Sequence, residues 1–311
     1  MNYTDKMPGL SWMLSKRLLV ITGKGGVGKS AICAALGKVA ADHGRKVLLA
    51  EVRSMRRLPE LFGLDANHDG PMKLGPNLMW INLKPESALE VYALKLLKLR
   101  TVYRAVFEQR TVRKFLRVVP SLAEILMLGY VVHMLEQGEA DLIVMDAPST
   151  GPGTLMLQAP GVVMETAPPG PLRQGAHWIQ SLLGDREKCA VCIAVLAEEL
   201  PVSEAIELFH TIRDEVSVPM GVCFANRLLV DPGVVPDVDL LNYLSNVKQC
   251  SVLKDTWYRY DAKVSLQNSY LDKLEAGVNL PLVKLPEIMD DNESLVDCLA
   301  VELDKMMGDR H

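Results

Sequence analysis

The run GKGGVGKS, Gly23 to Ser30, lies directly between an apolar pentapeptide, LLVIT, and a segment with helical spacing. It matches GxxxxGK[ST], in which glycines let successive backbone N–H groups converge on phosphate oxygens while the following helix directs its positive end at them. Gly23, Gly25, Gly26, Val27, Gly28, Lys29 and Ser30 then form a phosphate cradle, with Lys29 adding a full charge and the Ser30 hydroxyl serving as a Mg²⁺ ligand. ATP or ADP with Mg²⁺ is the cofactor set this implies. The same stretch spells GxGxxG, and Glu51 ends the next strand at the spacing of a ribose-binding acid, so a Rossmann-type NAD-dependent oxidoreductase is the rival reading. Lys29 and Ser30 have no task in such a fold. A later strand, LIVMD, ends on Asp146, which suits a Walker B aspartate holding the metal.

Short apolar runs rich in Val, Ile and Leu recur at Leu18–Thr22, Lys46–Ala50, Leu78–Leu83, Leu142–Met145, Ala190–Leu196, Met220–Ala225 and Leu282–Leu285. Lacking strict alternation, they suit strands buried on both faces. Helical patterns lie between them at Ser30–His43, Val202–Val216 and Asn292–Met307, so the order predicts an α/β fold with a doubly wound, mostly parallel sheet over one domain, 1–311. The interval 85–137 reads as successive amphipathic helices without a strand, an inserted helical subdomain. Ala159–Leu183 carries Pro160, Pro168, Pro169 and Pro171, which predicts a loop and then a helix.

Charge and cysteine usage narrow the function class. With 34 Lys+Arg against 38 Asp+Glu the net charge is −4, so composition gives no support for binding nucleic acid. No stretch is apolar for the 18–20 or so residues of a membrane span, and the first residues lack the apolar core of a secretory signal. Six scattered cysteines read as reduced thiols in the cytoplasm. Cys189 and Cys192 form a CxxC within a strand, where alternation sends them to opposite faces.

Lys24 is a second lysine in the loop, and with it GKGGVGKS resembles the deviant Walker A motif of the dimeric group that includes MinD, ParA, NifH and ArsA. In that group the early lysine reaches the partner subunit's nucleotide. DAPSTG at Asp146–Gly151, followed by TLMLQAP, is similar to the switch II of ArsA-like ATPases; Asn226, after the strand GVCFA, stands where they carry an adenine-reading asparagine. PESALEVYAL and VPSLAEILMLG, within Pro85–Gly129, most resemble bacterial members of unassigned role. The family includes the arsenite-pump ATPase and the factor that escorts tail-anchored proteins. The resemblance implies a Mg²⁺-dependent ATPase, a homodimer or a heterodimer with a paralogue, and a protein client at the helical subdomain.

Departures from that pattern bear on catalysis. Arg53 occupies the register where the family places a water-orienting aspartate, and Pro152 replaces its switch II histidine. Arginine cannot serve as a base, so Glu51 is the fallback catalytic group beside Lys24 and Lys29, and slow hydrolysis follows. A hydrolysis-poor regulatory subunit is the alternative. Arsenite-binding cysteines have no counterpart. Arg53, Arg56 and Arg57 form a cluster that suits phosphate, a partner's acidic surface or a solvated loop, and 94–119 carries a basic amphipathic face. Leu126, Met127, Leu128 and Met134 suit either a client groove or core.

Overall fold

Strands buried on both faces can carry polar side chains only at their ends, and the architecture follows from that. A computed structural model describes residues 10–52, 56–89, 121–230, 239, 243, 252–288 and 294–307. Among these, eight strands form one sheet: β1 (Leu18–Thr22), β2 (Val47–Val52), β3 (Met72–Gly75), β4 (Leu78–Leu83), β5 (Leu142–Asp146), β6 (Cys189–Leu196), β7 (Met220–Leu228) and β8 (Leu282–Pro286). Their order is β3-β4-β2-β5-β1-β6-β7-β8. Every neighbouring pair is parallel except β3 with β4. β3 escaped the sequence reading because MKLG offers only two alternating apolar residues; it forms by folding back on β4 through a turn in which Asn77 is left-handed (φ 54°).

Alternation along each strand divides the core in two. Leu18 and Val20 join one apolar layer with α4 (Leu122–Glu136), α5 (Thr150–Thr166), α6 (Pro171–Leu183) and α7 (Glu199–Thr211). Leu19 and Ile21 join the other, with α1 (Trp12–Ser15), α2 (Lys29–Asp42), α3 (Arg57–Leu61) and α9 (Leu295–Met307). α8 (Leu253–Gly277) packs beside α7. Cys189 lies in the first layer and Cys192 in the second, as strand alternation predicts. Burial pushes both thiols up to about 12.

The expected loop at Ala159 is corrected. Helix α5 runs through Pro160 to Thr166, and the break is confined to 167–170 before Pro171 opens α6. Proline removes one helical hydrogen bond, but Met156, Leu157, Ala159, Pro160 and Val163 bury a continuous face that offsets the loss. Likewise Val202–Val216 is a helix from Glu199 to Thr211 extended by a wider turn, Ile212–Val216. The basic face at 94–119 and most of the 85–137 subdomain lie outside the described residues. Leu126, Met127, Leu128 and Met134 are buried in the core of α4, so they line no groove.

Side chains at the sheet's carboxyl edge break the apolar pattern. Apart from Lys16, the buried polar residues among those described are Thr22, Glu51, Asn82, Asp146 and Asn226, at or near the ends of β1, β2, β4, β5 and β7. Register sets them side by side, since Asp146 pairs with Ile21 and Glu51, and Glu51 with Asn82. This is the edge at which open α/β sheets hold ligands.

Helix α9 closes the second layer against α2, with Leu303 fully buried between them. Leu303→Ala is expected to cost about 2–5 kcal/mol. Urea denaturation checks this, with exposed Val301→Ala expected to stay within about 0.5 kcal/mol of the wild type.

Candidate functional site

Two glycines fix the path of the loop between β1 and α2. Gly28 has φ +95°, and a Cβ there would lie 2.1 Å from Asn226 Nδ2; Gly23 has φ +141°, and a Cβ would lie 2.3 Å from the Ala194 carbonyl oxygen. Neither position tolerates a side chain, because both the dihedral and the space forbid it. A Cβ at Gly25 or Gly26 would meet nothing within 4 Å, so those residues face open space. Val27 is buried in the second layer, and its carbonyl accepts a hydrogen bond from Asn226 Nδ2 at 2.9 Å. Asn226 thus braces the loop from β7. It also borders a cavity of about 490 Å³ walled by Leu196, Glu198, Gln267 and Tyr270.

Lys29 begins α2 and folds back, donating from Nζ to the Lys24 carbonyl at 2.9 Å. Burial lowers its pKa, and the nearby Asp146 charge works in the opposite sense. Ser30 Oγ donates to Asp146 Oδ2 at 2.5 Å. Burial raises the Asp146 pKa to about 6; the Ser30 hydrogen bond and the Lys29 charge pull it down, while Glu51 pushes it up. A hydroxyl and a carboxylate in contact at a loop mouth are the hard oxygen donors that suit Mg²⁺. The residues fit the ion.

Glu51 is fully buried. Its Oε2 accepts from Trp80 Nε1 at 2.8 Å and its Oε1 from the Arg57 backbone N–H at 2.9 Å. A carboxylate held inside the sheet edge cannot reach a ribose, which removes the dinucleotide reading. Lys24 Nζ lies 2.6 Å from Glu204 Oε1 on α7, a half-exposed ion pair within the chain. Thr150 N–H donates to the Gly23 carbonyl at 3.3 Å, joining the start of α5 to the loop. Pro152 sits in the first turn of α5, and Arg53 lies outside the described residues.

The structure separates the other two arginines. Arg56 Nε donates to Asp69 Oδ1 at 3.1 Å and its Nη1 to the Ala66 carbonyl at 2.8 Å. Asp69 also accepts from Asn82 Nδ2 and Lys84 Nζ, and the Lys84 hydrogen bond leads in holding its pKa below the ordinary value. Trp80, Asp69 and Glu204 were missed by motif reading. Their only signal was position, Trp80 within β4, Asp69 just ahead of β3 and Glu204 on a helix facing the loop.

A parallel sheet whose central strand feeds a glycine loop and helix, with an acidic strand end alongside, defines the P-loop nucleotide hydrolases. Residues 16–167 match the family described as Anion-transporting ATPase. A Mycobacterium tuberculosis protein named ATPase BagA is 30% identical over 222 residues, 68% of this chain and 65% of that protein. An Aquifex aeolicus protein named as an arsenical pump-driving ATPase is 25% identical over 287 residues, 88% of this chain and 64% of the relative. Another so named, from Halobacterium salinarum, is 26% identical over 230 residues, 68% of this chain and 36% of the relative. Each alignment spans less than two thirds of the relative's own length. The chain is thus similar to the ArsA-like family of P-loop ATPases, over residues 16–167 by the family model and over 222 residues of ATPase BagA.

Asp146 carries a testable stability signature. The folded carboxyl holds its proton up to about pH 6, against about 3.9 when unfolded. The folded chain therefore binds more protons between those values, and the metal-free protein loses stability as pH rises through that window. Asp146→Asn is expected to raise stability at pH 7.5 by up to about 3 kcal/mol, with the gain shrinking toward pH 4. Denaturation without Mg²⁺ across that range checks it.

Proposed function

We propose that the chain is a Mg²⁺-dependent ATPase that acts as a nucleotide-driven conformational switch for a protein client or partner. The hydrogen bond from Ser30 to Asp146 carries this reading, because it joins the loop and strand halves of a metal site beside Lys29. Ser30 and Asp146 would hold Mg²⁺, which when bound neutralises charge between the β- and γ-phosphates. Lys29 exchanges the Lys24 carbonyl for phosphate oxygens, and the backbone N–H groups from Gly25 to Ser30 take the rest. Asn226 keeps the loop in register beside the cavity that suits a nucleobase. The contact between Thr150 and Gly23 gives α5 a direct path by which to sense the loop.

In this reading Lys24 leaves Glu204 to meet the phosphates of a second subunit, either a copy or a paralogue. The protein works in the cytoplasm; the free thiols of Cys33, Cys189, Cys192 and Cys223 support a reducing compartment. No helix among the described residues is long and apolar enough to cross a membrane. The client surface rests on the helical pattern of 85–137.

A hydrolysis-poor regulatory subunit is the second reading, favoured by one observation. Both oxygens of Glu51, the fallback group for orienting water, already hold protein donors. Slow turnover follows, since phosphoryl transfer to water requires that water to be positioned.

Calorimetry is expected to show Mg·ADP binding more tightly than NADH, with Lys29→Ala weakening ADP at least about tenfold, or 1.4 kcal/mol. Retained affinity in that variant, or tighter NADH, rejects the phosphate-site reading. Sedimentation is expected to show an ATP-tightened dimer in the wild type and a weaker response in Lys24→Ala. Turnover of the pure protein is expected below about 1 s⁻¹, the low end of the usual enzyme range.

A further inference from the structure

The Arg57 guanidinium stands apart from the other charged groups of the sheet edge. Arg56 is consumed by Asp69 and the Ala66 carbonyl, Lys84 by Asp69, and Lys24 by Glu204. Arg57 is exposed, and among the described residues its side chain makes no hydrogen bond or ion pair. Its backbone, by contrast, is fixed. The N–H is held by Glu51 Oε1 at 2.9 Å, and Glu51 pairs in register with Asp146, whose carboxylate bonds Ser30. Adjacent strands lie about 4.8 Å apart, so the root of the Arg57 side chain is one strand and one hydrogen bond from the expected metal site.

We propose that Arg57 binds the terminal phosphate of ATP, supplying from within the chain a cation at the end of the site opposite the glycine loop. Arginine suits this task, since its fork of donors pairs with two phosphate oxygens at once and its charge is permanent. The position favours the γ- over the β-phosphate. Loop amides and Lys29 approach from β1 and α2, whereas Arg57 approaches from β2, across Asp146, where the group transferred in P-loop hydrolases lies. Electrostatics agree with the placement. After burial and the larger influences named above, the Arg57 charge still lowers the pKa of both Lys29 and Asp146, so it lies within range of both. Glu51 thereby gains a role of its own as a positioning residue that aims Arg57.

The inference rests on nucleotide binding at the glycine loop, and the test separates the two. Calorimetry of wild type, Arg57→Ala and Arg57→Lys would use Mg·ADP and the Mg²⁺ complex of β,γ-imido-ATP, which resists hydrolysis. Arg57→Ala is expected to weaken the imido analogue at least about tenfold while ADP stays within about twofold, with Arg57→Lys intermediate. Unchanged affinity for the analogue, or equal loss of ADP and analogue, overturns the proposal. So does loss of the analogue-induced dimer with affinity intact, which would move Arg57 to a subunit surface. In all three cases the loop reading survives if the wild type binds ADP and Lys29→Ala does not. Arg57 is exposed, so Arg57→Ala is expected to melt with the wild type, and that control keeps the comparison valid.

Discussion

Burial of both faces of the central strands governs everything else in this molecule. β1 and β5 have no wet face, so a polar side chain on them must sit at an end or leave an unpaired group in an apolar core. Thr22, Glu51, Asn82, Asp146 and Asn226 obey that rule together. A site made this way is rigid, since each polar group stands on a strand whose register is fixed by hydrophobic packing on two sides. Thr22 Oγ1 is buried and without a hydrogen-bond partner among the described residues. The edge is thus more polar than its own contacts satisfy.

Legibility in the sequence followed the same division. Seven runs of buried strand could be read because continuous apolar stretches are conspicuous, and the glycine loop could be read because steric exclusion at Gly23 and Gly28 leaves a compositional trace. β3 left no such trace, being an edge strand stabilised by β4 rather than by its own residues. Helix α5 concealed itself behind Pro160, whose local penalty is outweighed by burial that only the tertiary structure supplies. The polar contacts were less legible than the elements. Nothing in the chain order tells that Trp80 would donate to Glu51, or that Glu204, distant in sequence, would meet Lys24.

The arginine cluster shows why composition alone leaves a charged segment ambiguous. Arg56 and Arg57 are neighbours in sequence, yet one is spent on Asp69 while the other keeps its side chain free of protein partners among the described residues. The difference arises from geometry. Arg56 has a left-handed backbone (φ 64°) that turns the chain into α3, and its side chain meets Asp69, while Arg57 begins the helix with its side chain exposed.

The buried carboxyl of Asp146 reaches beyond chemistry into the lifetime of the protein. A group whose ionised form is disfavoured by its surroundings makes the empty protein the less stable form at neutral pH, so any cation that settles there returns stability by mass action. Proteases in a cell act on chains that open transiently, and small changes in stability alter abundance severalfold. With Mg²⁺ at Asp146 as proposed, the same desolvation would tie how long a copy survives to how often its site is filled.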